Sequence, residues 1–158
     1  MTKRALTFSL LLCIVLSACA PPQPTGRLAF SSDRDGNAEI YIINADGTGL
    51  ERLTYSPSSD TSPAWSPDGQ HIAYNQDFEG NLDVCVIHTD GPATNLTGWP
   101  GAEGSPTWSP DGTYIAFASD RSGNLEIYSI AADGTGPLNL TRNVASDGLP
   151  RHHTRWLS

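Results

Sequence analysis

Three acids recur at one place in this chain. Asp60, Glu103 and Asp147 each stand three residues before a proline, Pro63, Pro106 and Pro150, at intervals of 43 and 44 residues. A ring of such carboxylates can hold a cation or a basic peptide. The same acids can instead be structural caps that accept hydrogen bonds from backbone amides of a neighbouring turn. Recurrence once per unit is what a structural role requires, and on the residues alone both uses stand. Arg34 and Arg121 each follow an aspartate, Asp33 and Asp120. They can read a partner's carboxylates, or sit in solvated or inter-unit ion pairs. These five residues form the candidate binding face. The alternation Asp33, Asp35, Asn37, Glu39 resembles a calcium loop, but Gly36 is misplaced for one and a hairpin explains it more simply, so no metal and no cofactor is expected. His71, His88, His152 and His153 lack metal-ligand spacing apart from the adjacent last pair. There is no Gly-x-Ser-x-Gly elbow, and no serine, cysteine or lysine has the context of a nucleophile. No catalytic residue, and no enzyme, is expected.

The other residue with chemistry to do is Cys19. Lys3 and Arg4 begin the chain, and Ala5 to Ala18 is an apolar run broken only by Thr7, Ser9 and Ser17, too short for a comfortable permanent span. This reads as a secretion signal over residues 1–18. Its end, Leu16-Ser17-Ala18-Cys19, looks like a bacterial lipobox: small residues suit the peptidase, and only a thiol gives the thioether to diacylglycerol. Two acyl chains anchor stably where one is marginal. The lipidated Cys19 opens a proline-rich linker, residues 19–25, and the stretch "APPQPTG" after the cysteine reaches roughly 20 Å at polyproline rise. The expected location is the cell envelope, lipid-anchored after crossing the inner membrane, on the periplasmic side of a membrane or on the outer face of a single-membrane cell.

Composition narrows the partners. The chain has 158 residues and a formal charge of -8; removal of residues 1–18 takes away two cations and no acid, leaving about -10 and no lysine. Arg27, Arg34, Arg52, Arg121 and Arg142 are spread singly, whereas a phosphate-backbone binder needs clustered cations. Nucleic acid is excluded. Cys13 leaves with the signal and Cys19 is acylated, so Cys85 has no partner for an intrachain disulfide.

The elements that position the acids are repeated. "SPAWSPDG" at Ser62 to Gly69 returns as "SPTWSPDG" at Ser105 to Gly112, and a period of about 43 residues is that of four-stranded propeller blades. Trp65 and Trp108 supply one large apolar surface per unit. Pro67-Asp68-Gly69 and Pro110-Asp111-Gly112 make the turn: proline presets φ, the aspartate bonds nearby backbone, and the glycine takes positive φ. Then follow "RLAFSSD", "HIAYNQD" and "YIAFASD", a Gly-Asn turn, "EIYIIN", "DVCVIH" and "EIYSIA", an Asp-Gly turn, and a short segment closing at Leu-Thr. This alternation of apolar runs and turns predicts antiparallel strands. The expected fold is all-β: four-stranded antiparallel propeller blades, about three present, with residues 26–54 a partial blade, 55–97 and 98–141 full blades, and 142–158 a truncated or degenerate start of a fourth.

The pattern Asp-x-x-Pro-x-Trp-Ser-Pro-Asp-Gly, then Ile-Ala-Phe, Ser-Asp-Arg-x-Gly-Asn, Glu-Ile-Tyr, Asp-Gly and Leu-Thr resembles the WD40-like (PD40) repeat of TolB-type β-propellers. Asp60 to Thr97 matches it, as does Glu103 to Thr141 with Glu103 as the leading acid, and Gly26 to Thr54 matches from the second strand onward. Cys85 departs from the tyrosine seen at Tyr41 and Tyr128, and "NQDFEGN" from the usual hairpin. The resemblance implies a six-bladed ring that binds other envelope proteins or a peptide, without the additional N-terminal domain of TolB. Similar repeats also form the propellers of prolyl oligopeptidase-like hydrolases and oligogalacturonate lyases, so a non-catalytic or truncated piece of such an enzyme is the alternative. Asp147-Gly148-Leu149-Pro150 starts another inner strand on schedule, but Trp156 comes late and no Pro-Asp-Gly follows, so a reading frame broken near Pro150 is expected. Three blades cannot surround an axis; two such arcs can meet as a homodimer and complete six.

Overall fold

The computed structural model describes residues 25–147. Cys19, the leader before it and the segment after Asp147 lie outside the described residues. Eleven strands form three separate antiparallel sheets. The first holds β1 (Arg27–Ser32), β2 (Glu39–Asn44) and β3 (Glu51–Arg52), in that order. The second holds β4 (Asp60–Trp65), β5 (His71–Phe78), β6 (Asn81–His88) and β7 (Ala93–Asn95). The third holds β8 (Glu103–Trp108), β9 (Tyr114–Ser119), β10 (Glu126–Ala131) and β11 (Leu138–Asn139). No helix is present among the described residues. The described residues are therefore all-β, three successive propeller blades that do not by themselves close a ring.

Both faces of a blade are apolar because each is covered by a neighbour. Side chains alternate along a strand. On β5 and β6, Ile72, Tyr74, Cys85 and Ile87 turn to the first sheet and pack on Ile40 and Ile42, with Ala29, Leu53 and Trp65 at the margin. Ala73, Val84 and Val86 turn the other way, against Trp108, Ile115, Phe117, Tyr128 and Ile130. The middle blade is thus sandwiched, and each core belongs to two sheets.

Regular pairing is broken at two kinds of place. In the inner strands the register slips between Thr61 and Ala64 and again between Gly104 and Thr107. One extra residue is accommodated each time, with Ser62 at φ 54 and Ser105 at φ 55; these are matched β-bulges just before the proline. The "NQDFEGN" departure lengthens its hairpin: β5 and β6 run on until Phe78 faces Asn81. Glu79 (φ 54) and Gly80 (φ 92) then form a two-residue turn of positive φ, the kind whose twist matches the strands.

Candidate functional site

The inner strand and its turn set the frame for every candidate residue. The Ser66 hydroxyl donates to Asp68 Oδ1, which also accepts from the Gln70 amide at 2.9 Å, while the His71 amide donates to Ser66 Oγ at 2.9 Å. Ser109, Asp111, Thr113 and Tyr114 repeat this network. These donors hold the carboxyls of both aspartates below the ordinary range, Asp111 at about 2. Gly69 (φ 69) and Gly112 (φ 73) take the left-handed conformation that lets the chain return.

The two tryptophans occupy the same place but not the same surroundings. Trp108 is 9% exposed and its Nε1 donates to the Ala64 carbonyl of the preceding blade's inner strand at 3.1 Å. Trp65 is half-buried; its Nε1 is buried without an acceptor, and the Arg27 guanidinium lies 5.1 Å above the ring. The first sheet has no inner strand among the described residues to offer the carbonyl.

Asp60 and Glu103 begin the inner strands and are fully buried. Each meets side-chain donors, not the backbone amides that a cap would bond: Gln76 Nε2 to Asp60 Oδ1 at 2.9 Å, and Ser119 Oγ to Glu103 Oε1 at 2.7 Å. The second oxygen of each, Asp60 Oδ2 and Glu103 Oε2, has no hydrogen-bond partner. Burial, reinforced by a neighbouring carboxylate of the preceding blade, Glu39 for Asp60 and Asp83 for Glu103, pushes the first up to about 6 and the second to about 7. Asp147, partly exposed, meets the Glu126 carboxyl of the third blade. The structure thus distributes the three acids one to a junction, each against an acid of the blade before.

The arginines are held by rings. Arg121 lies between Trp99 and Tyr128, 4.1 and 3.9 Å from their centres. Arg34, more exposed, lies 5.2 Å from the Phe30 ring and 4.7 Å from Tyr41, with its Nε donating to Ser32 Oγ at 3.0 Å. Neither forms a salt bridge among the described residues; cation–π contact holds both, Arg34 remaining exposed to solvent. The Arg121 stack depends on Gly101, at φ 133, where a Cβ would stand 2.9 Å from Arg121 Cα. Gly101→Ala is expected to push the Trp99 loop off the third blade and cost about 1–3 kcal/mol. A urea unfolding series against wild type measures it.

Sequence reasoning misses the residues that tie the blades together. Asn37, Asn81 and Asn124 follow the hairpin glycine, and each side-chain amide donates to carbonyls of the connection leaving its blade: Ser56 at 3.0 Å, Trp99 at 3.1 Å, and Asn143 at 2.9 Å. Two residues on stand Glu39, Asp83 and Glu126, all buried. Thr54 and Thr141 donate to the glutamates, and Asn95 Nδ2 to Asp83 at 2.7 Å. Thr54, Thr97 and Thr141 in turn accept the amides of Ile40, Val84 and Ile127. The signal is present as Gly-Asn-x-acid followed by Leu-Thr in every unit, a repeat whose turn is plain while its contacts are not. Arg52 adds a 2.6 Å ion pair to Glu39. Cys85 is buried, its thiol pushed up to about 12, chiefly by burial. No group of three or more metal-ligating side chains converges among the described residues, and no helix there is long and apolar enough to cross a membrane.

The family model described as PD40, TolB beta propeller domain, matches residues 17–103, more than half of the chain. The chain belongs to the TolB β-propeller family. It is 44% identical over 62 residues to the Tol-Pal system protein TolB of Desulfosudis oleivorans, covering 39% of this chain and 14% of that protein. The solved TolB-type protein of Agrobacterium tumefaciens superposes with a TM-score of 0.69 at 28% identity, over 76% of this chain and 44% of that one. Dipeptidyl-peptidase 5 of Porphyromonas endodontalis is 34% identical over 59 residues, covering 37% of this chain and 8% of the peptidase. The chain thus spans about one-seventh of the TolB relative's length, or less than half of the solved protein's.

Proposed function

We propose that this TolB-family propeller is a scaffold tethered in the cell envelope through lipid on Cys19, and that its propeller face binds an envelope protein or peptide. Membership of the TolB family carries the reading, because the relative that shares the repeat is named for the Tol-Pal system. The Leu16-Ser17-Ala18-Cys19 lipobox and the prolines after it support the tether. On this reading Arg34 and Arg121 offer cations on rigid rings, and the buried acids Asp60, Glu103 and the rim acid Asp147 fix the inner strands that face the partner. A second copy of the chain is also a partner, completing the six-bladed ring.

Mass spectrometry of the mature N-terminus is expected to find diacylglyceryl on Cys19; an unmodified cysteine or an intact Met1 would remove the tether. A pull-down from solubilised envelope should recover a partner that the Cys19→Ala form, released from the membrane, no longer recovers. The second reading, a propeller piece of a larger peptidase, is supported by the similarity to peptidases such as that of Porphyromonas. It predicts instead association with a hydrolase domain and no lipid.

A further inference from the structure

The middle blade lacks what the third blade holds at the same place. Arg121 is stacked between Trp99, on the connection that enters the third blade, and Tyr128 on β10. Phe78 stands two residues before its hairpin glycine as Arg121 does, Cys85 five after it as Tyr128 does, and Ser56 two after Leu-Thr as Trp99 does. The register agrees: Cys85 faces Tyr74 as Tyr128 faces Phe117. One guanidinium and two rings thus give way to a phenyl, a thiol and a hydroxymethyl group. The first blade keeps its arginine and tyrosine, Arg34 and Tyr41, in contact. Among the described blades the change belongs to the middle one.

Where those side chains are small, the surface is hollow. A trough of about 780 Å³, within the range of ligand clefts, runs between the connection at Ser56 to Ser59 and the hairpin at Gln76 to Gly80. At Ser56 and Gln76 it meets a second cavity of about 270 Å³ that reaches Asp60. Phe78 lines the trough and is 40% exposed. Asp77 and Glu79 flank it, and Asp77 is held by the Gly80 amide, which donates to its Oδ1 at 2.6 Å. At the inner end Asp60 is fully buried, with Oδ2 lacking a hydrogen-bond partner. No arginine, lysine or histidine lines either cavity. Burial raises the carboxyls of Asp60 and Glu103 alike; at Glu103 the Arg121 charge opposes it, while at Asp60 the Glu39 carboxylate adds to it. The trough therefore offers acids and an aromatic face without a cation.

We infer that this trough receives an arginine side chain of a partner protein, laid against the Phe78 ring beside Ser56, with Asp77 and Glu79 taking its charge and Asp60 at the inner end. The middle blade then regains from outside the stacked guanidinium that its neighbours carry themselves. Arginine suits the place better than lysine. Its planar group stacks on a ring and donates in a fork to carboxylates, and its weaker hydration lowers the cost of entering a half-buried site. The inference rests on the reading that the propeller binds a protein or peptide, and it names the place and the chemistry of that contact.

The probe is the peptide acetyl-Gly-Arg-Gly-amide, titrated into the isotope-labelled full chain in detergent and followed by amide NMR shifts. Its citrulline counterpart, of the same shape but uncharged, is the control. The amides of Ser56, Ser58, Ser59 and Gln76 to Gly80 are expected to shift with the arginine peptide, and citrulline is expected to bind about tenfold more weakly or worse. Phe78→Arg restores the residue of the other blades and is expected to abolish the shifts. Glu79→Gln should weaken binding about twofold to fivefold, as loss of an exposed pair does, and added salt should weaken it further. Both residues are exposed at the hairpin, so unchanged far-UV circular dichroism is expected of both variants and separates lost binding from lost folding. Equal affinity for the two peptides, shifts confined to residues outside the trough, no binding, or a Phe78→Arg chain that binds like wild type overturns the inference. An envelope partner whose capture is indifferent to Phe78→Arg keeps the scaffold and removes this site; peptide binding with no partner recovered keeps the site and removes the scaffold.

Discussion

Replacing Trp108 by alanine is expected to cost about 3–5 kcal/mol, a large share of the roughly 5–15 kcal/mol margin of an ordinary domain, while the same replacement at Trp65 costs about 1–3 kcal/mol. The residue type, turn and repeat position are identical, so the contrast isolates the neighbour. Trp108 is packed among Ala73, Val86 and Ile130 in the core shared by the second and third blades, with the His71 ring 6.2 Å away. Its removal opens a cavity and removes the indole hydrogen bond to the Ala64 carbonyl. Trp65 lies at the margin of the first shared core. Removing it loses apolar contact but also deletes a buried N–H that has no acceptor. Urea unfolding followed by far-UV circular dichroism measures both. Equal costs would mean that the blades do not share stability through this bond.

What can be read in the sequence is local. The Ser-Pro-Asp-Gly turn is closed by residues at most five apart, Ser66 with Asp68 and His71, so its chemistry is written in one short string. The same is true of the strands, whose alternation needs no knowledge of their partners. The acids are different. Asp60 owes its state to Gln76, 16 residues on, and to Glu39 in the blade before, and nothing near Asp60 in sequence announces that it will be buried. Arg121 stands beside Asp120 in sequence, but its surroundings come from Trp99 and Tyr128, brought together by the Gly101 loop. The asparagine clamps are legible as a repeat yet not as contacts, because Asn37 reaches carbonyls 19 and 21 residues away. Turns encode themselves; junctions between blades depend on register and stacking.

Those junctions should make stability fall as pH rises through neutrality. The carboxyls of Asp60 and Glu103 stand at about 6 and about 7, against ordinary values of 3.8 and 4.5. The folded chain therefore holds protons that the unfolded chain releases, so this contribution is whole below about pH 4 and is lost as pH climbs through 6 and 7. The opposite limb comes from Asp46, Asp68, Asp111, Glu126 and Asp133. Their hydrogen bonds lower them, Asp111 to about 2, and their contribution is lost as pH falls below about 4. Maximum stability is expected where the limbs meet, near the ordinary carboxylate range at about pH 4. Ionised Glu103 leaves Oε2 buried without a donor, at a cost of about 1–3 kcal/mol or more for a charge. Glu103→Gln keeps the Ser119 bond through its carbonyl and places an amide N–H beside Asp83, an acceptor. Its unfolding midpoint is expected to fall less steeply than wild type from pH 5 to pH 8, Asp60 alone still titrating there, and to exceed wild type above pH 7. A wild-type midpoint that rises over this interval, or a Glu103→Gln profile parallel to it, would show that this junction carries no proton.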